Sequence, residues 1–183
     1  MDNEKRLTGY NPALHEAFLL AWFFHLRRTG DLDTTFFKDL HNITAFLNYF
    51  ANGVKLGFAY DAKGISFAVW YHPILDAAEF GLWIREDKRQ SPSSLKCLYE
   101  AFDHVFNLFP VVMSVCKQGH LREIHEKIGF AVSADIPAAW GGNPVQIYYM
   151  TKESYDERRR RNGSNGRGRT PLVNVAAEIE RVG

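Results

Sequence analysis

The sequence predicts a mixed α/β (α+β) domain, a mostly antiparallel central sheet with helices on both faces, followed by a basic tail. Three observations predict it. The spacing of apolar residues changes from 3.6 to 2 at Val54 and returns to 3.6 after Ser91. Within residues 54–84 three strand-like runs follow one another with loops too short for a crossover helix, so they form an antiparallel meander. From Arg158 to Arg169 there is no apolar side chain to contribute to a core.

Arg6 to Tyr10 reads as a short first strand. Asn11-Pro12 is an N-cap with proline at the first helical position, and Leu14, Phe18, Trp22 and Leu26 recur at helical spacing as far as Gly30. Asp33 opens a second helix, with Phe36, Leu40, Ile43, Leu47 and Phe50 on one stripe and Asn52-Gly53 as its left-handed end. Val54–Tyr60 and Ile65–Tyr71 are strands joined by the hairpin residues Asp61-Ala62-Lys63-Gly64. After His72-Pro73 a third strand, Ala77–Ile84, sets Ala78, Phe80, Leu82 and Ile84 on one face and Glu79, Gly81 and Trp83 on the other. Ser91-Pro92 starts a helix carrying Leu95, Leu98, Phe102, Val105 and Phe106 to about Leu108.

Val111–Cys116, bounded by Pro110 and Gly119, is a short apolar run and hence a buried strand. A short helix follows, with Leu121, Ile124 and Ile128 inward and Gly129 as its stop. Phe130–Val132 and Val145–Met150 form the last strand pair, separated by a glycine-rich turn from Ala138 to Pro144. The order is β-α-α-β-β-β-α-β-α-β-β, with the folded domain at 1–155 and a flexible Arg/Gly-rich tail at 156–183. Within that tail Thr170-Pro171 caps a last amphipathic piece bearing Leu172, Val175, Ala176 and Ile179.

The chain has 183 residues, 46% apolar and 23% charged, enough for one domain with its own core. Its net charge of +1 hides an asymmetry. From Arg158 on, seven arginines face Glu178 and Glu180, a balance of +5, so the residues before Arg158 carry −4. Two cysteines, Cys97 and Cys116, have no metal-ligand spacing and are too few for a disulfide scaffold. The longest apolar run, Ala17–Phe24, is too short for a membrane span and is followed by His25, Arg27 and Arg28, so a cytoplasmic chain without a signal segment is expected. The sequon Asn42-Ile43-Thr44 then has no glycosylation to receive.

One local motif joins this element order: Gln118-Gly119-His120-Leu121-Arg122-Glu123-Ile124-His125-Glu126-Lys127-Ile128-Gly129-Phe130. Over residues 6–151 the chain resembles the GNAT superfamily of acyl-CoA-dependent N-acyltransferases, whose late strand-turn-helix stretch carries an Asn and then a helix ending Tyr-Glu-Lys-Leu-Gly-Phe. Gln118 stands at the Asn position and His125 at the Tyr position. The resemblance implies an acetyl-CoA (or other acyl-CoA) cofactor and an amine acceptor on a protein or a small molecule. It further implies that the backbone of the Ala77–Ile84 strand, at Trp83 and Ile84, holds the pantetheine and thioester.

In that family the next turn binds pyrophosphate with an Arg/Gln-x-x-Gly-x-Gly/Ala pattern, because glycines let phosphate oxygens reach backbone N–H groups at a helix start. The register here is Arg89-Gln90-Ser91-Pro92-Ser93-Ser94, with both glycines replaced and one N–H removed by Pro92. Lys88, Arg89 and the Ser91, Ser93 and Ser94 hydroxyls are the phosphate candidates, with Gln118 nearby. Plain helix capping explains the same serines.

Acylation of an amine needs a base for the amine and an acid for the leaving thiolate. Glu79 is the candidate base and His125 the candidate acid, set against their reading as a solvated strand residue and a core-edge histidine. Tyr71 and His72 are placed on the acceptor side. Trp83, Trp140 and Tyr148 are candidates for an apolar acceptor wall, and Cys116 is given no role. No Gly-x-Ser-x-Gly, P-loop or paired-histidine motif competes.

A second class of function stays open. The missing glycines, the His125–Phe130 motif and the final Thr151-Lys152 also resemble the degenerate GNAT-like internal virion proteins of short-tailed bacteriophages, which implies a virion component or a host-protein-binding module without catalysis. Arg158, Arg159, Arg160, Arg161, Arg167 and Arg169 could serve either reading by contacting nucleic acid or an acidic partner.

Overall fold

In the computed structural model, which describes residues 8–30, 32, 40, 42–89, 91–117, 125–126, 128–140 and 143–164, the chain opens with a two-residue strand β1 (Thr8–Gly9). Helix α1 (Pro12–Thr29) begins where expected, with the Asn11 side chain accepting the Ala13 N–H at 3.0 Å. Its buried side is His15, Leu19, Trp22, Phe23 and Leu26, which keeps Trp22 and Leu26 of the expected stripe but sets His15 and Leu19 in place of Leu14 and Phe18, and Leu14 is 57% exposed. The eight-residue apolar run surrounds the helix, so spacing alone did not fix which side faces the sheet.

Helix α2 (Ile43–Ala51) starts at Asn42, whose side chain accepts the Ala45 N–H at 2.8 Å. The expected start at Asp33, with Phe36, lies outside the described residues. The asparagine of the apparent sequon is thus a helix cap.

Strands β2 (Lys55–Asp61), β3 (Gly64–Ile74) and β4 (Ala77–Ile84) form the expected antiparallel meander. β3 runs three residues further than its apolar pattern, through His72 and Pro73. Its last pair with β2 is Lys55↔Tyr71, so Pro73 stands where no N–H is needed on that side. Helix α3 (Pro92–Phe106) follows, then β5 (Val111–Lys117), β6 (Ala131–Trp140), β7 (Asn143–Thr151) and helix α4 (Lys152–Ser164). Of the helix expected before Gly129, residues 125, 126 and 128 are described and helical.

Two boundaries move at the C-terminal end. β6 extends to Trp140 instead of stopping at Val132, because it is the edge strand, where Pro137 and two register shifts against β7 are tolerated. α4 carries the chain through the four arginines, past the expected end at Tyr155. Tyr155 is 3% exposed, donates its hydroxyl to Asp103 at 2.6 Å and stacks on Phe106 at 4.9 Å. Arg159 bonds Asp103 at 3.1 Å and lies over the Tyr99 ring. Gly129, at φ +118, leaves room for the Arg158 stem, whose Cδ would be 3.0 Å from an added Cβ. Residues beyond 164, with Arg167, Arg169 and the Leu172–Ile179 piece, lie outside the described residues.

The seven strands form one sheet in the order β1-β2-β3-β4-β5-β7-β6, antiparallel except at β4–β5. Both faces are covered. On one, α1 and α2 enclose Trp22 with Phe46, Phe50, Phe58, Trp70 and Trp83. On the other, α3 and α4 pack Phe102, Phe106 and Tyr155 over Val69, Phe80 and Tyr148. Burying large aromatic side chains in this way is the main favourable term holding the layers together. Among the described residues no helix is long and apolar enough to cross a membrane.

Candidate active site

The parallel pair in the sheet is short. β4 and β5 match only at Ala77↔Val111, Ala78↔Val112 and Glu79↔Met113. Past that point β4 stays with β3 as far as Ile84↔Phe67, and β5 stays with β7 as far as Lys117↔Val145. The sheet therefore opens into a wedge, with Glu79 and Met113 at its apex, residues 80–84 on one edge and residues 114–117 on the other. Among the described residues those two edges have no strand between them. An extended ligand can pair with such edges as an added strand would.

Glu79 faces the α1/α2 side. Its neighbour across β3–β4 is His72, whose Nδ1 is buried with no hydrogen-bond partner among the described residues. Burial pushes the Glu79 carboxyl above the usual carboxylate range, and His72 pulls it partly back. Tyr49 stands close enough to Glu79 that burial, then the carboxylate charge, raise its phenol. The Tyr49 hydroxyl accepts from Trp70 Nε1 at 3.2 Å. The Trp70 indole lies across Gly81, where an added Cβ would come within 2.2 Å of the ring. A glycine at 81 is thus what lets the indole close this wall.

His125 lies on the opposite face. Its ring stacks on Tyr148 with centroids 4.3 Å apart, meets Phe130 edge-on, and brings Nε2 to 3.0 Å from Ser114 Oγ. The Tyr148 hydroxyl donates to Gln146 Oε1 at 2.7 Å, and Gln146 Nε2 donates to Asp135 Oδ1 at 2.7 Å. This polar chain runs from the buried Tyr148 and Gln146 out to the exposed Asp135 on the edge strand. Burial pushes the Cys116 thiol up to about 11, which keeps it protonated and unreactive.

The turn between β4 and α3 is organised by Arg85, which is 8% exposed and bonds Asp87 at 2.6 Å, Ile65 O at 3.1 Å and Asp61. Lys88 Nζ joins Asp61 at 3.3 Å, and together these cations hold the Asp61 carboxyl well below the usual range. Arg89 leans back on Ile84 O at 3.4 Å and is otherwise exposed. Ser91 caps α3, its Oγ accepting the Ser94 N–H at 3.2 Å and meeting the Ser93 and Ser94 hydroxyls at 2.9 and 3.0 Å. Ordinary capping thus uses the Ser94 donor, Pro92 has none, and Ser93 N–H remains.

These placements bear on an acyl-CoA ligand in two ways. At the wedge, the Trp83 and Ile84 backbone lies on an edge that no strand covers on the β5 side among the described residues. At the diphosphate end the turn offers the Ser93 N–H, the serine hydroxyls and Arg89, with Lys88 drawn off towards Asp61. Gln118 lies outside the described residues.

Several sequence candidates separate in space. Tyr71 lies under α3 beside His104 and Phe109, on the face away from His72 and Glu79, because adjacent strand residues alternate faces. The Trp83 side chain is in the α1/α2 core against Trp22 and His25. Tyr148 belongs to the His125 side, and the Trp140 side chain is outside the described residues. Sequence reasoning passed over Tyr49, Trp70 and Ser114. Ser114 had a signal, being the one hydroxyl in the run Val111–Cys116.

No protein-family model matches the chain, and no curated protein matches it in sequence. Solved structures do match its fold. A GNAT-family protein from Desulfovibrio desulfuricans aligns with TM-score 0.58 and 15% identity over 80% of this chain and 96% of that one. A chimera of the Vibrio cholerae spermidine N-acetyltransferase SpeG and hSSAT aligns with TM-score 0.57 and 14% identity over 84% and 99%. Mutant forms of the Vibrio cholerae spermidine/spermine N-acetyltransferase SpeG give 0.52 and 16% over 73% and 92%. The chain has the fold of the GNAT acetyltransferases.

Proposed function

We propose that this chain is an acyl-CoA-dependent N-acyltransferase that acylates an amine across the β4–β5 wedge. The observation that carries the reading is the wedge itself, with Glu79 on one face of the sheet and His125 on the other. An acyl group held between two strands can be approached by an amine from one face while its thiol leaves towards the other.

An acyl-CoA bound there would supply an activated thioester carbonyl. The residues 80–84 edge would orient the arm, and Ser93, the Ser91 and Ser94 hydroxyls and Arg89 would meet its phosphates. On the α1/α2 side Glu79 takes the amine proton. Its raised pKa makes it a better base for an ammonium group than an exposed carboxylate, since basicity rises with pKa. Tyr49 and Trp70 wall the approach with aromatic surface, which suits the alkyl stem of an amine. On the α3 side His125 is the proton source for the leaving group.

Isothermal titration with acetyl-CoA tests the reading. Saturable binding that weakens with Arg89→Ala supports it, and no heat at high micromolar ligand overturns it.

One observation favours a second reading, a GNAT-fold binding module without catalysis. The phosphate turn spends the Ser94 N–H on capping, has none at Pro92, and keeps its buried arginine for Asp61 and Asp87. A host-protein partner or a place inside a bacteriophage virion belongs to that reading and rests on the sequence resemblance alone. Under either reading the exposed arginines of α4 are proposed to contact nucleic acid or an acidic partner.

A further inference from the structure

We infer that Ser114, and not His125 directly, hands the proton to the leaving thiolate, with His125 recharging it from behind. The inference rests on the acyltransferase reading above and adds a catalytic residue to it.

Strand order carries the argument. β5 borders the wedge and β7 lies one strand beyond it. His125 stacks over the ring of Tyr148, a β7 residue, with centroids 4.3 Å apart. Ser114 is the cross-strand partner of Tyr148 and the first β5 residue past the last pair with β4. Its Oγ is 3.0 Å from His125 Nε2. Ser114 therefore links the imidazole to the strand that borders the opening. A serine hydroxyl both donates and accepts, so it can pass a proton on without holding a charge. The neighbouring hydroxyl of Tyr148 donates to Gln146 and also meets the Cys116 side chain, whose thiol burial holds protonated.

The step balances as follows. The amine nitrogen bonds to the thioester carbon, Glu79 takes the amine proton, and the C–S bond breaks with its electron pair on sulfur. The sulfur takes the Ser114 hydroxyl proton while Ser114 Oγ takes the Nε2 proton of the His125 imidazolium. His125 is left neutral and regains a proton from solvent, to which Glu79 returns the one it took. An imidazole has two ring nitrogens, so it can give a proton at one and regain one from solvent to complete this cycle.

The test compares leaving groups. An alkyl thiolate needs the proton as it leaves, whereas an aryl thiolate leaves without it. Ser114→Ala should lower turnover about 100-fold with acetyl-CoA and less than about 3-fold with an acetyl ester of an aryl thiol, as expected when general acid catalysis is lost. Ser114→Thr, which keeps the hydroxyl, should recover most of the rate and guards against a folding defect. Equal losses on the two thioesters, or no loss, would overturn the proposal. A readout without any acyl donor accompanies it: in the nitrogen–proton NMR spectrum of the full chain, the His125 ring signals should change with Ser114→Ala and stay with Ser114→Thr. Unchanged His125 signals in Ser114→Ala also overturn it. A wild-type chain inert with both thioesters, while the NMR change persists, removes the acyltransferase reading and the proton transfer with it.

Discussion

On the α1/α2 face, the approach to the wedge is walled by aromatic rings, with Tyr49 bonded to Trp70 and Trp70 laid across Gly81, and Glu79 with its neighbour His72 carries the polarity. On the α3/α4 face the polarity is a chain, from Ser114 to His125 on one side and from Tyr148 through Gln146 to Asp135 on the other. The difference teaches how one sheet can separate two proton transfers. A desolvated carboxylate takes a proton readily, while a hydrogen-bonded chain moves one along.

The largest expected effect breaks the first face. Glu79→Gln should lower amine acylation by about 10²-fold or more, measured as acylated product per unit time at saturating acyl donor. Its pH dependence follows from the raised carboxyl. The wild-type rate should climb with pH above the ordinary carboxylate range, and that limb should vanish in the variant. Stability moves the other way. The folded state holds the Glu79 proton more tightly than the unfolded chain, so wild-type stability falls as pH rises from the ordinary carboxylate value through the raised one. Glu79→Gln should gain on the wild type above that window and match it below, in urea unfolding at a series of pH values.

Next comes Gly81→Ala, which forces Trp70 off the wall. It should cost about 3 kcal/mol in urea unfolding, because the atoms an added Cβ meets are a packed indole. A loss under about 0.5 kcal/mol would mean that the ring moves freely and the wall is soft. Arg85→Met should cost about 2 kcal/mol by stranding Asp61 beside a buried stem, with the gap to wild type narrowing in acid as Asp61 protonates. The smallest effect belongs to the α3/α4 face: Asp103→Ala frees Tyr155 and Arg159 and should cost about 1 kcal/mol, since the ion pair is half exposed and the hydroxyl bond is the larger part.

The fold was largely legible in the sequence, and the places where it was not share a cause. β4 and the start of α3 came out at their true bounds, because alternation and a Ser-Pro cap are local signals. β3 through Pro73, β6 to Trp140 and α4 through the arginines were hidden, because edges and a partner helix decide them. Arg158 to Arg161 looked like a linker, yet Tyr155 and Asp103 hold that stretch as a helix against α3.

The site was legible in part. Glu79 and His125 were singled out by position in the resemblance, but that the sheet opens beside Glu79 follows from β4–β5 pairing ending at Glu79↔Met113, which no local pattern encodes. Tyr71 was grouped with His72 for adjacency in the chain, and alternation along β3 puts them on opposite faces. Ser114 was read as part of an apolar strand, and its partner is 11 residues away in sequence.

The measurement that bears most directly on the wedge as a transfer site is the mass spectrum of a panel of primary amines after incubation with acetyl-CoA and either the wild-type chain or Glu79→Gln, with acetyl-CoA binding measured on both. Acetylated amine made by the wild type and reduced at least about 100-fold in the variant, at equal acetyl-CoA affinity, is the predicted result. Acetyl-CoA binding with no acetylated amine, or equal product from the two chains, would contradict it.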